Sequence, residues 1–330
     1  MKKKVAIILP YKEIYSLDHA GAASIWVKDY NQYSNLKKQT LIYGNLSKNL
    51  KPISKNFVNV KLKNSIFSKN KEYIEFFYNE YLKKKFEIIE IHNRPEYLNF
   101  LIKKNVKAKL IFIFHNNPTQ MRGSKKVSER LSILKNTDKV FFVSKWTMKK
   151  FFEDLPYNSK SNCDILYPSI KKPKNFNYNK KNQIIFTGKL NSSKGFDIFG
   201  AAILKILTKN KKWHAIVAGN EPREKFNFKH KRLKIYNWLK HVEILSLYNN
   251  SSISVVPSRW EEPFGRTAME SAAYGCATIT SSRGGLSETF DNKLILKNLS
   301  SKEIYNQLNK LIKNLKILKY NQILNFNNLK

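Results

Sequence analysis

A chain of 330 residues with 61 Lys and Arg against 24 Asp and Glu carries a formal net charge of +37. Its length exceeds one small core and predicts two domains of roughly 150 residues each, while every apolar run falls short of the roughly 18 residues of a membrane-spanning helix. The lysines are scattered rather than gathered into a stripe, and no zinc spacing or RNA-binding signature accompanies them, which argues against specific nucleic-acid recognition.

Two compatible readings of the charge remain. One is compositional drift toward Lys, Asn and Ile. The other is adhesion to an anionic membrane surface. Met1-Lys2-Lys3-Lys4 resembles the charged start of a signal peptide, but the apolar run Val5 to Leu9 stops at Pro10 and is too short for one. It reads as the first strand. Cys163 and Cys276 lie far apart without metal-ligand spacing, which fits a reducing cytoplasm. The expected location is cytoplasmic, with peripheral attachment to the inner face of the membrane.

In chain order, the strand at Lys4 to Pro10 is followed by a loop and a helix opened by Gly21, where a glycine lets backbone approach a ligand. A strand is expected at Gln39 to Tyr43. The stretch 44–68 is polar and irregular, with a further strand at Val58 to Leu62. Glu72 to Phe86 has helical period, with Tyr73, Phe77 and Tyr81 on one stripe. Glu87 to Ile91 is a strand that delivers His92-Asn93-Arg94-Pro95-Glu96 at its carboxyl end, the end where open α/β sheets bind ligands. Arg94 there suits a phosphate or carboxylate. Lys109 to Phe114 is a strand ending in His115-Asn116-Asn117-Pro118, whose loop is expected to face an acceptor. Val127 to Asn136 and Lys145 to Phe152 read as helices around a strand at Lys139 to Val143. Asp164 to Pro168 closes the first domain.

The expected boundaries are 1–170 for the first domain, 171–182 for a linker of Pro173 among lysines and asparagines, 183–318 for the second domain, and 319–330 for a tail or cross-over helix. The second domain opens with a strand at Gln183 to Thr187 that runs into Gly188-Lys189-Leu190-Asn191-Ser192-Ser193-Lys194-Gly195. A helix at Asp197 to Leu207, strands at Trp213 to Ala218 and Leu233 to Tyr236, and a helix at Val242 to Asn249 follow. Strands alternating with helices in both halves predict two doubly wound parallel sheets.

The most informative stretch is Pro257-Ser258-Arg259-Trp260-Glu261-Glu262-Pro263-Phe264-Gly265-Arg266-Thr267-Ala268-Met269-Glu270. It follows the apolar β-branched run Ile253 to Val256 and turns through Pro and Gly into a helical pattern. Two carboxylates, Glu262 and Glu270, thus flank a helix start, and a helix start is a ready seat for phosphate. That suits a sugar nucleotide. The Glu-x7-Glu spacing, set in Pro-Ser-x-x-x-Glu-Pro-Phe-Gly and followed by Gly275 and Ser282-Arg283-Gly284-Gly285-Leu286, resembles the retaining, family-4-type glycosyltransferases of the GT-B fold. The resemblance covers nearly the whole chain and is concentrated in residues 250–290 and 183–196.

The resemblance implies a GT-B architecture, two Rossmann-like domains facing across a cleft. It implies transfer of a sugar from a nucleotide-diphosphate donor, UDP first and GDP next, to a hydroxyl of a glycan or lipid-linked acceptor in surface polysaccharide or lipopolysaccharide synthesis. Glu262, aided by Pro263, Phe264 and Gly265, is expected at the donor sugar and Glu270 at the ribose. Lys189, Lys194, Gly188 and the helix start at Arg266-Thr267 are expected at the diphosphate, with Gly21 also on the donor. His115, Glu262 and Lys194 form the expected catalytic set, and Arg94 and Asn116 the acceptor side. Lys189 stands where the family has arginine, which keeps the charge and loses the bidentate fork. No Asp-x-Asp signature occurs, so neither a metal nor another cofactor is expected. The alternative is an inactive sugar-nucleotide-binding or scaffolding protein of the same fold.

Overall fold

Val5–Ile8 (β1), a run of four buried residues, is flanked in register by Thr40–Gly44 (β2) on one side and Ile88–His92 (β4) on the other, both parallel to it. In the computed structural model, which describes residues 4–47, 49–62, 68–156, 162–291 and 293–329, the chain divides into two compact units, Met1–Ser169 and Ile170–Lys330. The first holds a seven-stranded parallel sheet in the order β3-β2-β1-β4-β5-β6-β7, completed by Phe57–Asn59 (β3), Lys109–Phe114 (β5), Lys139–Phe142 (β6) and Cys163–Ile165 (β7). Of the irregular stretch 44–68, residues 48 and 63–67 lie outside the described residues. The order reverses between β1 and β4, and the loops after those two strands flank the crevice where such sheets bind ligands.

Helices cover this sheet because their apolar residues recur at helical spacing. In Lys69–Lys84 (α2), Tyr73, Ile74 and Phe77 are buried and the stem ends in Lys83 and Lys84, cations at the negative end of the helix dipole. Ala22–Tyr33 (α1) buries Ile25, Trp26 and Val27. A helix at Pro95–Lys103 (α3) was not expected from the sequence. There Pro95 does not interrupt the chain; it occupies the first helical turn, where its missing N–H costs nothing. Tyr97, Leu98 and Leu101 then fall on the buried face. Val127–Asn136 (α4) and Lys145–Phe151 (α5) complete the unit, the latter capped by Ser144 Oγ, which accepts from Thr147 N at 2.9 Å.

Beneath α1 lies a buried carboxyl. Glu90, in the middle of β4, is 6% exposed, and Tyr30 donates its hydroxyl proton to Glu90 Oε1 at 3.3 Å. Oε2 has no partner. Burial pushes this carboxyl up to about 7, against the single Tyr30 hydrogen bond that pulls it down.

The second unit holds a five-stranded parallel sheet, β10-β9-β8-β11-β12, built from Lys181–Thr187 (β8), His214–Ala218 (β9), Leu233–Tyr236 (β10), Ser251–Val256 (β11) and Ala277–Thr280 (β12). Its order reverses between β8 and β11. Phe196–Lys209 (α6) lays Phe199, Ile203, Ile206 and Leu207 onto the sheet, each contributing at most about 1.5–3 kcal/mol. His241–Asn250 (α7) and Arg266–Ala273 (α8) follow, then Ser301–Lys313 (α9) and Leu315–Asn327 (α10). Most of the stretch 319–330 belongs to α10, which is fastened within its own unit: Gln322 Nε2 donates to Ser252 O at 3.0 Å and Asn325 Nδ2 to Cys276 O at 2.9 Å.

The segment 171–182 is a strap on the same unit. Lys172 Nζ donates to Phe326 O at 3.0 Å, and the Phe176 ring meets Phe326 edge-on at 5.5 Å. Lys180 Nζ donates to three carbonyls, of Tyr248 at 3.2 Å, Asn249 at 3.0 Å and Tyr274 at 2.8 Å. One ammonium thus serves the carboxyl ends of both α7 and α8, where every helix leaves carbonyls without intrahelical donors.

Two outcomes follow. Lys180→Met keeps the aliphatic stem and strips three carbonyls of their donor, so the urea midpoint of the second unit should fall, by about 1–3 kcal/mol of stability. Glu90→Gln should match wild type below pH 4.5, where Glu90 is neutral folded and unfolded. Between pH 4.5 and about 7 the unfolded chain sheds this proton first, so wild type loses ground and the glutamine variant becomes the more stable, by up to about 3 kcal/mol. Equilibrium melts of both proteins at pH 4.5, 6 and 8 measure the difference; a gap that does not change with pH would contradict the assignment.

Candidate functional site

In the second unit the two loops at the point of strand reversal are the Gly188–Gly195 loop after β8 and the Pro257–Gly265 loop after β11. They are tied backbone to backbone. Ser193 O accepts from Arg259 N and Trp260 N, both at 2.9 Å. The Arg259 guanidinium forks onto Asp197, at 2.7 and 2.8 Å, and also reaches Ser192 O at 2.5 Å. Gly195, at φ +74°, lies so close to Pro257 that an added Cβ would stand 2.2 Å from its carbonyl oxygen. Only glycine tolerates both conditions.

That closeness lets Lys194 Nζ reach Glu262 Oε1 at 2.5 Å. The side chains are partly shielded, 27% and 14% exposed, so this is a charge-assisted contact in a half-dry setting. Glu262 is also held through its main chain. Its carbonyl accepts from Gly285 N at 2.6 Å, and a Cβ on Gly284, at φ +64°, would meet the same oxygen at 2.2 Å. The Ser282–Leu286 segment therefore fixes the loop that carries Glu262.

Gly265, at φ +103°, caps α8, which opens at Arg266 with Thr267 next. A turn later, Glu270 is buried at 4% exposure, and its Oε1 accepts from Arg266 Nε at 2.7 Å and His241 Nε2 at 2.8 Å. Burial alone would raise this carboxyl, but Arg266 and His241 together hold it below the ordinary range, as a carboxylate. Pro263 is half-buried and Phe264 buried, under the loop. A Cβ added at Gly188 would stand in open space, and Lys189 is exposed beside it. The second unit therefore brings together Gly188, Lys189, Lys194, Glu262, Pro263, Phe264, Gly265, Arg266, Thr267 and Glu270 at the carboxyl ends of β8 and β11.

Three residues join them that were not foreseen. His241, the first residue of α7, reaches Glu270 from 29 positions away, a partnership with no local signature. Glu221 is locked by Arg223 at 2.7 Å, and that guanidinium holds its carboxyl down at about 2. Glu224 Oε2 accepts from Ser192 N at 2.9 Å, so a side-chain carboxylate already sits on one backbone N–H of the β8 loop.

The candidates of the first unit form their own group. His92 ends β4 and His115 follows β5. A hydrogen bond of 2.8 Å joins His92 Nδ1 and His115 Nε2, with the rings stacked at 5.1 Å. Trp26 of α1 meets both edge-on, at 5.4 and 5.3 Å. Dry surroundings push both imidazoles far toward the neutral form, His115 to about 3. Between them Asn93, at φ +56°, turns its Oδ1 to accept from His115 N at 3.0 Å and Asn116 N at 3.1 Å. Asn116 itself is exposed. Arg94 caps α3 and folds its Nη1 back onto Asn93 O at 3.0 Å, with Nε unpartnered. At Gly21, the helix start is taken by a carboxylate of the chain: Glu13 Oε1 accepts from Ser24 N at 2.9 Å, and an added Cβ on Gly21 would meet that oxygen at 2.4 Å.

Residues 169–324 match the family described as glycosyl transferases group 1. The putative glycosyltransferase YtcC of Bacillus subtilis is 23% identical over 241 residues, 63% of this chain and 58% of that protein. The chain thus spans a little over half the length of this relative. Among solved structures, sucrose-phosphate synthase from Thermosynechococcus elongatus superposes with a TM-score of 0.77 over 98% of this chain and 93% of its own, at 14% identity. The Anabaena protein Alr3699/HepE, solved in complex with UDP-glucose, does so with a TM-score of 0.74 over the same shares, also at 14% identity. These likenesses are of fold, and the fold is GT-B. The family match covers a little under half of the chain, the unit that carries the Lys194–Glu262 pair and the Glu270 helix.

Proposed function

We propose that the protein is a retaining glycosyltransferase that moves a sugar from a nucleotide-diphosphate donor, UDP first and GDP next, to a hydroxyl of a glycan or lipid-linked acceptor. The observation that carries this reading is the Lys194–Glu262 contact at the strand reversal of the second unit, set one loop away from a helix start. Glu262 accepts hydrogen bonds from donor-sugar hydroxyls, with backbone N–H groups at Phe264 and Gly265 beside it, and Glu270 accepts from the ribose. Lys189, Lys194 and the first N–H groups of α8 balance the charge that grows on the diphosphate as the bond from the anomeric carbon to the phosphate oxygen breaks. The acceptor oxygen bonds to the same face of that carbon, and its proton passes to the departing diphosphate, so that configuration is kept. His115 is assigned to the reacting sugar through the resemblance of its strand end to the family.

Two lysines supply the positive charge that a metal ion otherwise gives, which supports a metal-independent mechanism. A surface-polysaccharide or lipopolysaccharide acceptor rests on the Asn93-Arg94-Pro95 stretch and on the charge of +37, which also favours an anionic membrane as a neighbouring surface. The HepE complex supports UDP as the donor nucleotide, since that protein was solved with UDP-glucose.

The test is donor turnover in EDTA with UDP-, GDP-, ADP- and CMP-linked sugars. Slow nucleotide release from a UDP-sugar is expected, reduced about 100-fold or more in Glu262→Ala and Lys194→Ala. Binding of none of the four donors would sink the assignment of the second-unit site, and turnover that returns only with added divalent metal would overturn the metal-free step.

A further inference from the structure

We propose that His92 is a positioning residue that fixes the tautomer of His115: His92 donates from Nδ1 to His115 Nε2, so that His115 carries its own proton on Nδ1 and presents that N–H to the substrate. The proposal rests on the reading of His115 as a group at the reacting sugar.

The geometry leaves few alternatives. A single hydrogen bond of 2.8 Å links the two rings. Each neutral imidazole has one N–H and one lone pair, so the bond has two possible directions. If His115 Nε2–H were the donor, His92 would carry its proton on Nε2. That atom is buried and has no partner, and a bare buried N–H is a rare and costly state. If His92 Nδ1–H is the donor, Nε2 of His92 keeps only a lone pair, and an under-satisfied acceptor is the better tolerated of the two. Glu90, two residues earlier on the same face of β4, does not change the balance, because its hydrogen bond is to Tyr30 and none joins it to His92. A third state, with one ring protonated, requires a cation in the dry pocket under Trp26, where both imidazoles are driven toward neutrality.

The surroundings hold the arrangement. His92 is fully buried, Trp26 bears on both rings, and Asn93 Oδ1 pins the backbone N–H of His115 itself. His115 Nε2 is thereby used up inside the protein. Nδ1 takes no protein partner among the described residues, so it is the nitrogen left for a ligand, and on this assignment it offers a donor and not a lone pair. A neutral N–H aimed at a sugar oxygen can hydrogen-bond a hydroxyl without adding a charge that the leaving diphosphate would compete for.

The tautomer can be read without activity. In a two-bond proton–nitrogen correlation spectrum of the full-length protein at pH 7, His115 should show Nε2 as the bare nitrogen and Nδ1 as the protonated one. A spectrum with the proton on Nε2, or an imidazolium, overturns the proposal. His92→Phe keeps a ring under Trp26 and removes the donor; His115 should then lose its fixed tautomer. Turnover should fall about tenfold or more in kcat with little change in donor KM, and His92→Asn, which can place an amide donor near the same point, should restore part of it. An unchanged His115 spectrum in folded His92→Phe also overturns the proposal. If His92→Phe does not fold, the wild-type spectrum still decides. If the tautomer is as stated but His115→Ala turns over donor normally, the placement of His115 at the sugar fails, and with it the claim that this N–H serves the substrate.

Discussion

The second unit depends on main chain pressed against main chain at the carboxyl ends of its strands. A Cβ on Gly195 would strike the carbonyl of Pro257, one on Gly284 that of Glu262, and one on Gly219 that of Gly188, each at 2.2 Å or less. All three glycines have positive φ, so steric room and backbone conformation make the same demand. Loops packed this closely cannot be moved one at a time. Lys194 meets Glu262 because the β8 loop is seated on the β11 loop, and Glu262 keeps its direction because the loop after β12 is seated on it in turn. The charged contact is the visible result; the glycines are its cause.

The charge distribution follows the same loops. Acidic residues are outnumbered, 24 to 61, yet those of the second unit are concentrated where the loops meet. Lys194–Glu262, Arg259–Asp197, Arg223–Glu221 and the Arg266–Glu270–His241 group all sit on strand-end loops or on the helices that start from them. Isolated surface pairs contribute little to stability. Here the pairs fix side-chain direction around a place that suits an anion, and the excess lysine elsewhere sets long-range potential rather than fold.

What the sequence made legible follows from how local each signal is. Buried parallel strands are short apolar runs, so Lys109 to Phe114 and Gln183 to Thr187 were readable as they stand. The strand–turn–helix from Ile253 to Glu270 carries its glycine, proline and carboxylates in one stretch, and the structure keeps them in one place. Pairings across distant segments left no such trace. His241 lies 29 residues from Glu270, and nothing in either neighbourhood announces the other. Glu224 reaching Ser192 N and Glu13 reaching the start of α1 are of the same kind. The strap at 171–182 looked like a linker because lysine, asparagine and proline favour loops; that Lys180 closes two helix ends depends on where α7 and α8 finish, which composition does not encode. α3 was hidden by Pro95, whose meaning reverses between the first turn of a helix and its interior.

The two units handle polar groups in opposite ways, and the difference bears on chemistry. In the second, carboxylates and cations are paired, Lys194 with the partly shielded Glu262, and Arg266 and His241 with the buried Glu270. In the first, Glu90 and His92 are buried beneath Tyr30 and Trp26 and His115 lies half-buried beside them, and desolvation drives each toward its neutral form. A dry group that stays neutral cannot compete for a charged ligand, but its hydrogen bonds are strong and directional because little water screens them. The second unit holds its cations on glycine-tied loops and the first holds a stacked imidazole pair on its strand ends, so each sheet fixes its own kind of polar group.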